Sequence, residues 1–158
     1  MTPATAAILC NPRPSEHIVY SYKYETELMD ALTLFAKAGL MRGEAVILVV
    51  TAKHADLIRQ RVEQEGYKVA ELLESRQLVI ADAEDVLAAF FLDEQRFKIG
   101  IGLLIDNARA GRGRTQTVRV FDEMVDLIWI SNLQTSFSFH HGPSSALPAE
   151  LAEPPHHK

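Results

Sequence analysis

The stretch EAVILVVTAKHADLIRQRVEQEG, residues 44–66, decides the fold. Its first part, EAVILVVTA, is a continuous apolar run with β-branched residues, which is typical of a strand buried on both faces rather than of one facing water. Its second part places Leu57, Ile58 and Val62 at helical spacing and closes on Gly66, a residue that commonly ends a helix. A buried strand that leads directly into a helix indicates a parallel sheet covered by helices.

The same alternation of strands and helices extends over the rest of the chain. HIVYSYK, residues 17–23, predicts a first strand, and Leu28, Leu32 and Leu40 then lie on one helical face. Because helices that connect successive strands produce a mostly parallel sheet, we predict a three-layer α/β fold with helices flanking the sheet. The other predicted strands are LVIADA (78–83) and TVRVF (117–121), and the other predicted helices are VAELLESRQ (69–77), EDVLAAFFLDEQ (84–95), RFKIGIGLLIDNARAG (96–111) and DEMVDLIWISNL (122–133).

The length of 158 residues fits a single domain with a sizeable core. Residues 1–16 carry three prolines and no periodicity, so we expect a flexible N-terminal arm. The folded domain is predicted to span residues 17–141. The polar, proline-containing stretch at 142–158 predicts a disordered tail.

The composition limits the partners of this chain. Its 47% apolar and 23% charged residues are ordinary for a globular protein, and a net charge of −5 gives no electrostatic footprint for nucleic acid. The single cysteine, Cys10, cannot form an internal disulfide, which favours a reducing, cytoplasmic compartment. Apolar runs such as AVILVV are far shorter than the roughly 20 residues that span a bilayer, so no membrane partner is expected.

The sequence lacks the motifs of nucleotide-binding, nucleophilic and metal-binding sites. The segment after the first predicted strand, KYETELMD, has no glycine and no GK[ST] signature, so a Walker-type nucleotide site is not expected there. No GxSxG elbow is present, and the histidines of the tail lack the spacing of metal ligands. We therefore predict a protein that is not an enzyme and that uses neither a cofactor nor a metal.

The topology nevertheless predicts where a ligand would bind. In α/β folds, ligands bind outside the carboxyl ends of the strands, which selects residues 23–27, 51–54, 82–85 and 122–124. At the last of these, Asp122 fits an N-cap or first-turn acid better than a catalytic one.

Three tyrosines at the first predicted strand lie at alternate positions. On an extended strand, Tyr20, Tyr22 and Tyr24 would project to one face, where they fit either the wall of a small-molecule pocket or a half-exposed core face. Periodicity favours neither interpretation over the other.

Three blocks of the sequence resemble the MEDS domain, the methanogen/methylotroph, DcmR sensory domain. These blocks are residues 17–67, LLESRQLVIADAEDVLAAFF (72–91) and TVRVFDEMVDLIW (117–129). The resemblance implies a relative of the RecA/KaiC-type fold without its phosphate loop, which senses small organic molecules such as hydrocarbon derivatives for a histidine kinase or a transcription regulator.

The ligand site expected from this resemblance and from the strand ends contains nine residues: His17, Tyr20, Tyr22, Tyr24, Glu25, Arg119, Glu123, Met124 and Trp129. The chain departs from the family at FDEM, where Asp122 replaces the usual glycine, and after Trp129, where family members continue with a further helix and strand. The leading hypothesis is a cytoplasmic sensory domain that signals through a partner. The alternatives are an interaction or homodimerisation module without a ligand and, third, a degenerate nucleotide hydrolase.

Overall fold

The computed structural model describes residues 1–13, 18, 20–110 and 117–123. Helices and strands alternate along this part of the chain, as the sequence predicts for an α/β fold. In order they are α1 (Pro3–Cys10), α2 (Glu25–Met41), β1 (Ala45–Val50), α3 (Ala52–Gln64), α4 (Val69–Glu74), β2 (Leu78–Asp82), α5 (Ala83–Leu92), α6 (Glu94–Arg109) and β3 (Val118–Asp122).

The three strands form one parallel sheet in the order β2-β1-β3. The central strand β1 is buried along its whole length, which confirms the interpretation of its apolar run. Val46 of β1 lies opposite Leu78 of β2 on one side and opposite Arg119 of β3 on the other. The predicted fold class, a mostly parallel sheet flanked by helices, is therefore confirmed.

Alternate residues of β1 supply two separate cores, because successive side chains of a strand point to opposite faces. Val46, Leu48 and Val50 belong to the larger core, which also receives side chains from α1, α2, α3 and α4. Ala45, Ile47 and Val49 belong to a smaller core, which α5 and α6 cover. The sheet is thus enclosed between two helical layers.

Helix α2 is the best predicted of the helices. Leu28, Leu32 and Leu40, which recur at helical spacing in the sequence, are all buried in the larger core. The helix continues through Gly39, and the chain then turns at Gly43, whose φ of +71° is a conformation that favours glycine.

The predicted first strand is not present in its described residues, 18 and 20–23, which form no strand. Tyr20 and Tyr22 are instead half-buried against the outside of the larger core. Because β-propensity largely measures how well a side chain fits a half-buried surface, such residues can pack on a core without pairing their backbone.

The N-terminal segment contains a helix where a flexible arm was expected. Pro3 stands at the start of α1, where its missing N–H costs nothing, and the Thr2 hydroxyl accepts a hydrogen bond from the Thr5 amide at 3.2 Å. Leu9 packs in the larger core and so holds the helix against it. The domain boundaries stay a prediction.

The predicted tail at 142–158 and nearly all of the predicted helix at 122–133 lie outside the described residues. Asp122, expected at the start of that helix, is the last residue of β3. Within the described ranges, no helix combines the length and apolar character needed to cross a membrane.

Candidate functional site

The candidate site lies at the carboxyl ends of β1 and β3. The connection from β1 to β2 runs through α3 and α4 on the side of the larger core, whereas the connection from β2 to β3 runs through α5 and α6 on the side of the smaller core. Because β2 and β3 lie on opposite sides of β1, the strand order reverses between β1 and β3. Such a reversal opens the crevice in which α/β proteins bind ligands. Glu123 follows β3 directly, and its amide donates to the carbonyl of Val49 at 3.1 Å, which places it where the strand order reverses.

The carboxylate of Glu123 is held at the start of α3. Its side chain is only 3% exposed, and its Oε1 accepts a hydrogen bond from the backbone amide of Thr51, the N-cap residue of α3. A free amide and the dipole at a helix N-terminus both favour a negative charge. Helix α3 thereby compensates part of the cost of burying this acid.

His54 occupies the first turn of α3 and joins two carboxylates. Its Nδ1 lies 2.6 Å from Oε2 of Glu123, and its Nε2 lies 3.0 Å from Oε1 of Glu25, the first residue of α2. Its backbone amide donates to the hydroxyl of Thr51 at 3.4 Å, which caps the helix. We refer to Glu25, His54 and Glu123 as the carboxylate–histidine cluster.

The cluster extends to solvent through Glu25. The ammonium group of Lys53 lies 2.6 Å from the same Oε1 of Glu25 that faces His54. The hydrogen bond from Lys53, followed by that from His54, holds the pKa of the Glu25 carboxyl below its ordinary value. Glu123, His54 and Glu25 therefore form a continuous row of hydrogen bonds from the buried end of β3 to the surface at the start of α2.

Both acids of the cluster are among the site residues predicted from the sequence, but the histidine between them is not. His54 lies in the segment 51–54 that was selected because it follows a buried strand, so the position carried a signal. Nothing in its spacing from Glu25 or Glu123 indicated that one ring would contact both, since the contact to Glu123 spans 69 positions.

The tyrosines do not share one surface, as a common strand face would require. Tyr20 and Tyr22 contact the larger core, whereas Tyr24 is exposed and stands at the N-cap of α2, next to Glu25. Three further predicted site residues, His17, Met124 and Trp129, lie outside the described residues.

Arg119 is buried within the larger core face of the sheet, away from the cluster. Its Nε donates to Oε2 of Glu44 at 2.6 Å, and its terminal nitrogens donate to the carbonyls of Phe35 at 2.9 Å, Leu9 at 3.2 Å and Cys10 at 3.4 Å. The guanidinium also lies 4.9 Å from the centre of the Phe35 ring. These contacts tie β3 to α1, to α2 and to the start of β1.

Two open clefts lie on the surface near these elements. A cleft of ≈ 340 Å³ is lined by α1 and by the segment before α2, through Thr5, Ile8, Leu9, Ile18, Tyr20 and Ser21. A smaller one of ≈ 230 Å³ lies beyond the carboxyl ends of β1 and β2, where Asp82 and Arg59 are among its lining residues. Neither cleft includes a member of the carboxylate–histidine cluster.

The donor set of the cluster does not form a metal site. His54 stands between the two carboxylates instead of converging with them on one point, and no group of three or more histidine, cysteine or acidic residues in the described part of the chain is placed to hold a metal ion.

Comparisons with known proteins gave one finding. A family model described as MEthanogen/methylotroph, DcmR Sensory domain, or MEDS, matches residues 16–132 of the 158-residue chain. No curated protein and no solved structure matches the chain.

Proposed function

Because the chain belongs to the MEDS family of sensory domains, we propose that it binds a small organic molecule at the carboxyl ends of β1 and β3 and signals the binding to a partner protein. The proposed ligands are derivatives of simple hydrocarbons that carry one polar group. The proposed partner is a histidine kinase or a transcription regulator.

The observation that carries this proposal is the carboxylate–histidine cluster at the point where strand order reverses. Its exposure increases from Glu123, 3% exposed, through His54 at 16% to Glu25 at 42%. A small molecule with a hydroxyl, carbonyl or amine group can therefore exchange hydrogen bonds with the outer part of the cluster, while the inner part stays fixed. Tyr24, exposed beside Glu25, supplies an apolar surface for the rest of the molecule.

The same geometry disfavours a nucleotide. In phosphate-binding α/β proteins, the phosphate is held at the start of the helix that follows a strand. Here the amide of Thr51 at that position already donates to the carboxylate of Glu123. A phosphate would have to approach a buried negative charge, so we propose that the domain is not a nucleotide hydrolase. Nucleotide turnover that Glu123→Gln abolishes would support that third function instead.

A thermal-shift screen tests the ligand proposal. Short alcohols, aldehydes, halocarbons, amines and nucleotides are each added to the full chain, and a binder raises the melting temperature because it stabilises only the folded state, by about 2.7 kcal/mol at a hundredfold excess over Kd. We expect at least one of the organic classes to shift the melting temperature and nucleotides to leave it unchanged.

Matched variants locate the binding. The Glu123→Gln and Glu25→Gln variants, each compared with its own ligand-free melting temperature, should lose most of the shift. Glu71→Gln, which changes a largely exposed acid of α4, should keep it. A shift that survives both cluster substitutions would place the ligand elsewhere, and no shift with any compound would contradict the proposal.

A second candidate function is an interaction or homodimerisation module. Val120 of β3 is exposed on the face that carries α6, where Ile99 and Leu103 are exposed as well, and β3 is an edge strand of the described sheet. Unpaired edges and exposed apolar side chains are features of interaction surfaces. Light scattering tests this: a dimer that Val120→Thr or Leu103→Gln converts to a monomer supports self-association, and a monomer at every concentration contradicts it.

A further inference from the structure

Both ring nitrogens of His54 face carboxylate oxygens, at 2.6 Å and 3.0 Å. An ionised carboxylate only accepts hydrogen bonds, and a neutral imidazole has a single N–H to donate. The doubly protonated ring can therefore satisfy both Glu123 and Glu25, whereas the neutral ring must turn a lone pair towards one of them. The number of contacts that His54 makes depends on one proton.

The two contacts are not equivalent, so the loss of that proton has a defined direction. Glu123 is shielded from water, is held in place by the amide of Thr51 and needs the ring N–H as a donor. Glu25 is partly exposed and keeps Lys53 as a second partner. The neutral ring therefore retains its proton on Nδ1, facing Glu123, and releases Glu25.

We propose that His54 is a proton-operated clasp, which joins the start of α2 to α3 and to the end of β3 when it is protonated and frees the start of α2 when it is neutral. Among the described residues, the charged groups in contact with the ring or with its acids are Glu25 from α2, Glu123 from the end of β3, and Lys53 on α3 itself, which shares Glu25 with the ring. Histidine is the side chain that ordinarily exchanges a proton between about pH 5 and 8.

The clasp acts on a limited part of the fold. Glu25 is the first residue of α2, so its release loosens the first turn, where the amide of Leu28 donates to Tyr24. The links between Glu123, Thr51 and His54 within the sheet edge persist. The clasp is a property of the ligand-free protein and does not depend on the proposed ligand, so either proposal can fail without the other.

Hydrogen exchange measured on the ligand-free full chain tests the clasp. After correction for the intrinsic pH dependence of chemical exchange, we expect protection of the first turn of α2 to fall about threefold when His54 loses a proton, the size of one partly exposed ion pair. Protection of the middle of α3 should stay constant. Unchanged protection of α2 while the ring nitrogen shifts record the loss of that proton would overturn the proposal.

Three variants separate the clasp from a purely structural role. In His54→Gln the pH dependence should disappear, because the amide does not titrate. In Glu25→Gln it should also disappear, because the new amide group can donate to the unprotonated Nε2. Lys53→Gln leaves the ring and both carboxylates in place and should retain it. The same pH dependence in His54→Gln as in the original protein would overturn the proposal.

Nitrogen chemical shifts of the histidine rings provide a measurement that needs no stable variant, and the signal missing from His54→Gln identifies the ring. Both nitrogens of His54 should carry a proton in the charged ring, and the neutral ring should keep its proton on Nδ1. A proton that remains on Nε2 at high pH would show that the ring releases Glu123 instead, which contradicts the proposed direction.

Discussion

The Nε of Arg119 donates to Oε2 of Glu44 over 2.6 Å, and the side chains of this ion pair are only 3% and 14% exposed. The pair joins β3 to the residue that precedes β1. Since the remaining donors of the guanidinium bind carbonyls of α1 and α2, Arg119 holds together three parts of the larger core face. Its placement makes it a structural residue of this fold.

Arg119→Met should lower the free energy of unfolding by about 3–5 kcal/mol, because it leaves the Glu44 carboxylate and three backbone carbonyls without their donor in a shielded place. Urea unfolding measures this. Arg59→Met, which removes an exposed ion pair with Asp56, should cost at most about 1 kcal/mol. Adding Glu44→Gln to Arg119→Met should restore part of the loss. Equal effects of Arg119→Met and Arg59→Met would contradict this account.

Gly39→Ala should destabilise the protein by about 1–3 kcal/mol, although alanine favours helices by about 1 kcal/mol over glycine. A Cβ at this position would lie 2.7 Å from Cδ of Arg119 and 2.7 Å from Cγ2 of Val46, within a packed part of the core. Thermal or urea unfolding measures the change.

Gly100→Ala in α6 is the matched control for Gly39→Ala. A Cβ there meets nothing within 4 Å, so the helix propensity of alanine should act alone and stabilise the protein by up to about 1 kcal/mol. Opposite signs for the two substitutions are expected. The same sign at both positions would show that the close approach of α2 to Arg119 does not limit the side chain at Gly39.

Glu25 should stabilise the folded state in a pH-dependent way. Its pKa in the folded protein lies below the reference value of 4.5, chiefly because of the hydrogen bond from Lys53. A lowered pKa means that the contribution is fully present above 4.5 and is lost as pH falls through the folded value. The difference in unfolding free energy between the original protein and Glu25→Gln should therefore shrink as the solution is acidified below pH 4.5.

Lys53→Gln provides the control for this acid dependence, because it removes the largest cause of the pKa shift. In that background, Glu25→Gln should change the acid dependence less. Denaturant unfolding over a series of acidic pH values measures both differences. A difference that grows on acidification would have the wrong sign for a carboxylate stabilised in its charged form.

Glu123→Gln should cost about 1–3 kcal/mol, because the amide replaces one of two acceptor oxygens by a donor and so leaves a partner in the buried site unsatisfied. The partners are the amide of Thr51 and Nδ1 of His54. Urea unfolding measures this cost. Glu71→Gln on the exposed side of α4 should change stability by less than about 0.5 kcal/mol.

Most of the regular elements were predictable because the apolar residues that become buried follow the spacing of a strand or a helix in the sequence. The unbroken apolar run of β1 indicated a strand covered on both faces, and the spacing of Leu28, Leu32 and Leu40 indicated the buried face of α2. Helix α1 was missed, since only Leu9 of its eight residues is buried and its start is marked by a single threonine and proline.

The segments that form the candidate site were predictable, but the contacts among their side chains were not. The rule that ligands bind at the carboxyl ends of parallel strands selected the segments that contain Glu25, His54 and Glu123. Arg119, in contrast, entered the predicted site through the family resemblance, and the structure surrounds it with partners from its own fold. The presence of a residue in a motif does not indicate which other residues its side chain contacts in the folded protein.

The order of apolar and polar residues was sufficient to determine that this chain alternates strands and helices around a parallel sheet. The reason is that the buried side of each element is visible in the spacing of apolar residues over a few neighbouring positions. Only the tertiary structure decided which charged groups meet, since His54 and Glu123 are 69 positions apart and Arg119 and Glu44 are 75 apart. The register between β1 and β3 brings these pairs together. Removal from water then makes such contacts important, because a charge that leaves solvent needs a partner close by.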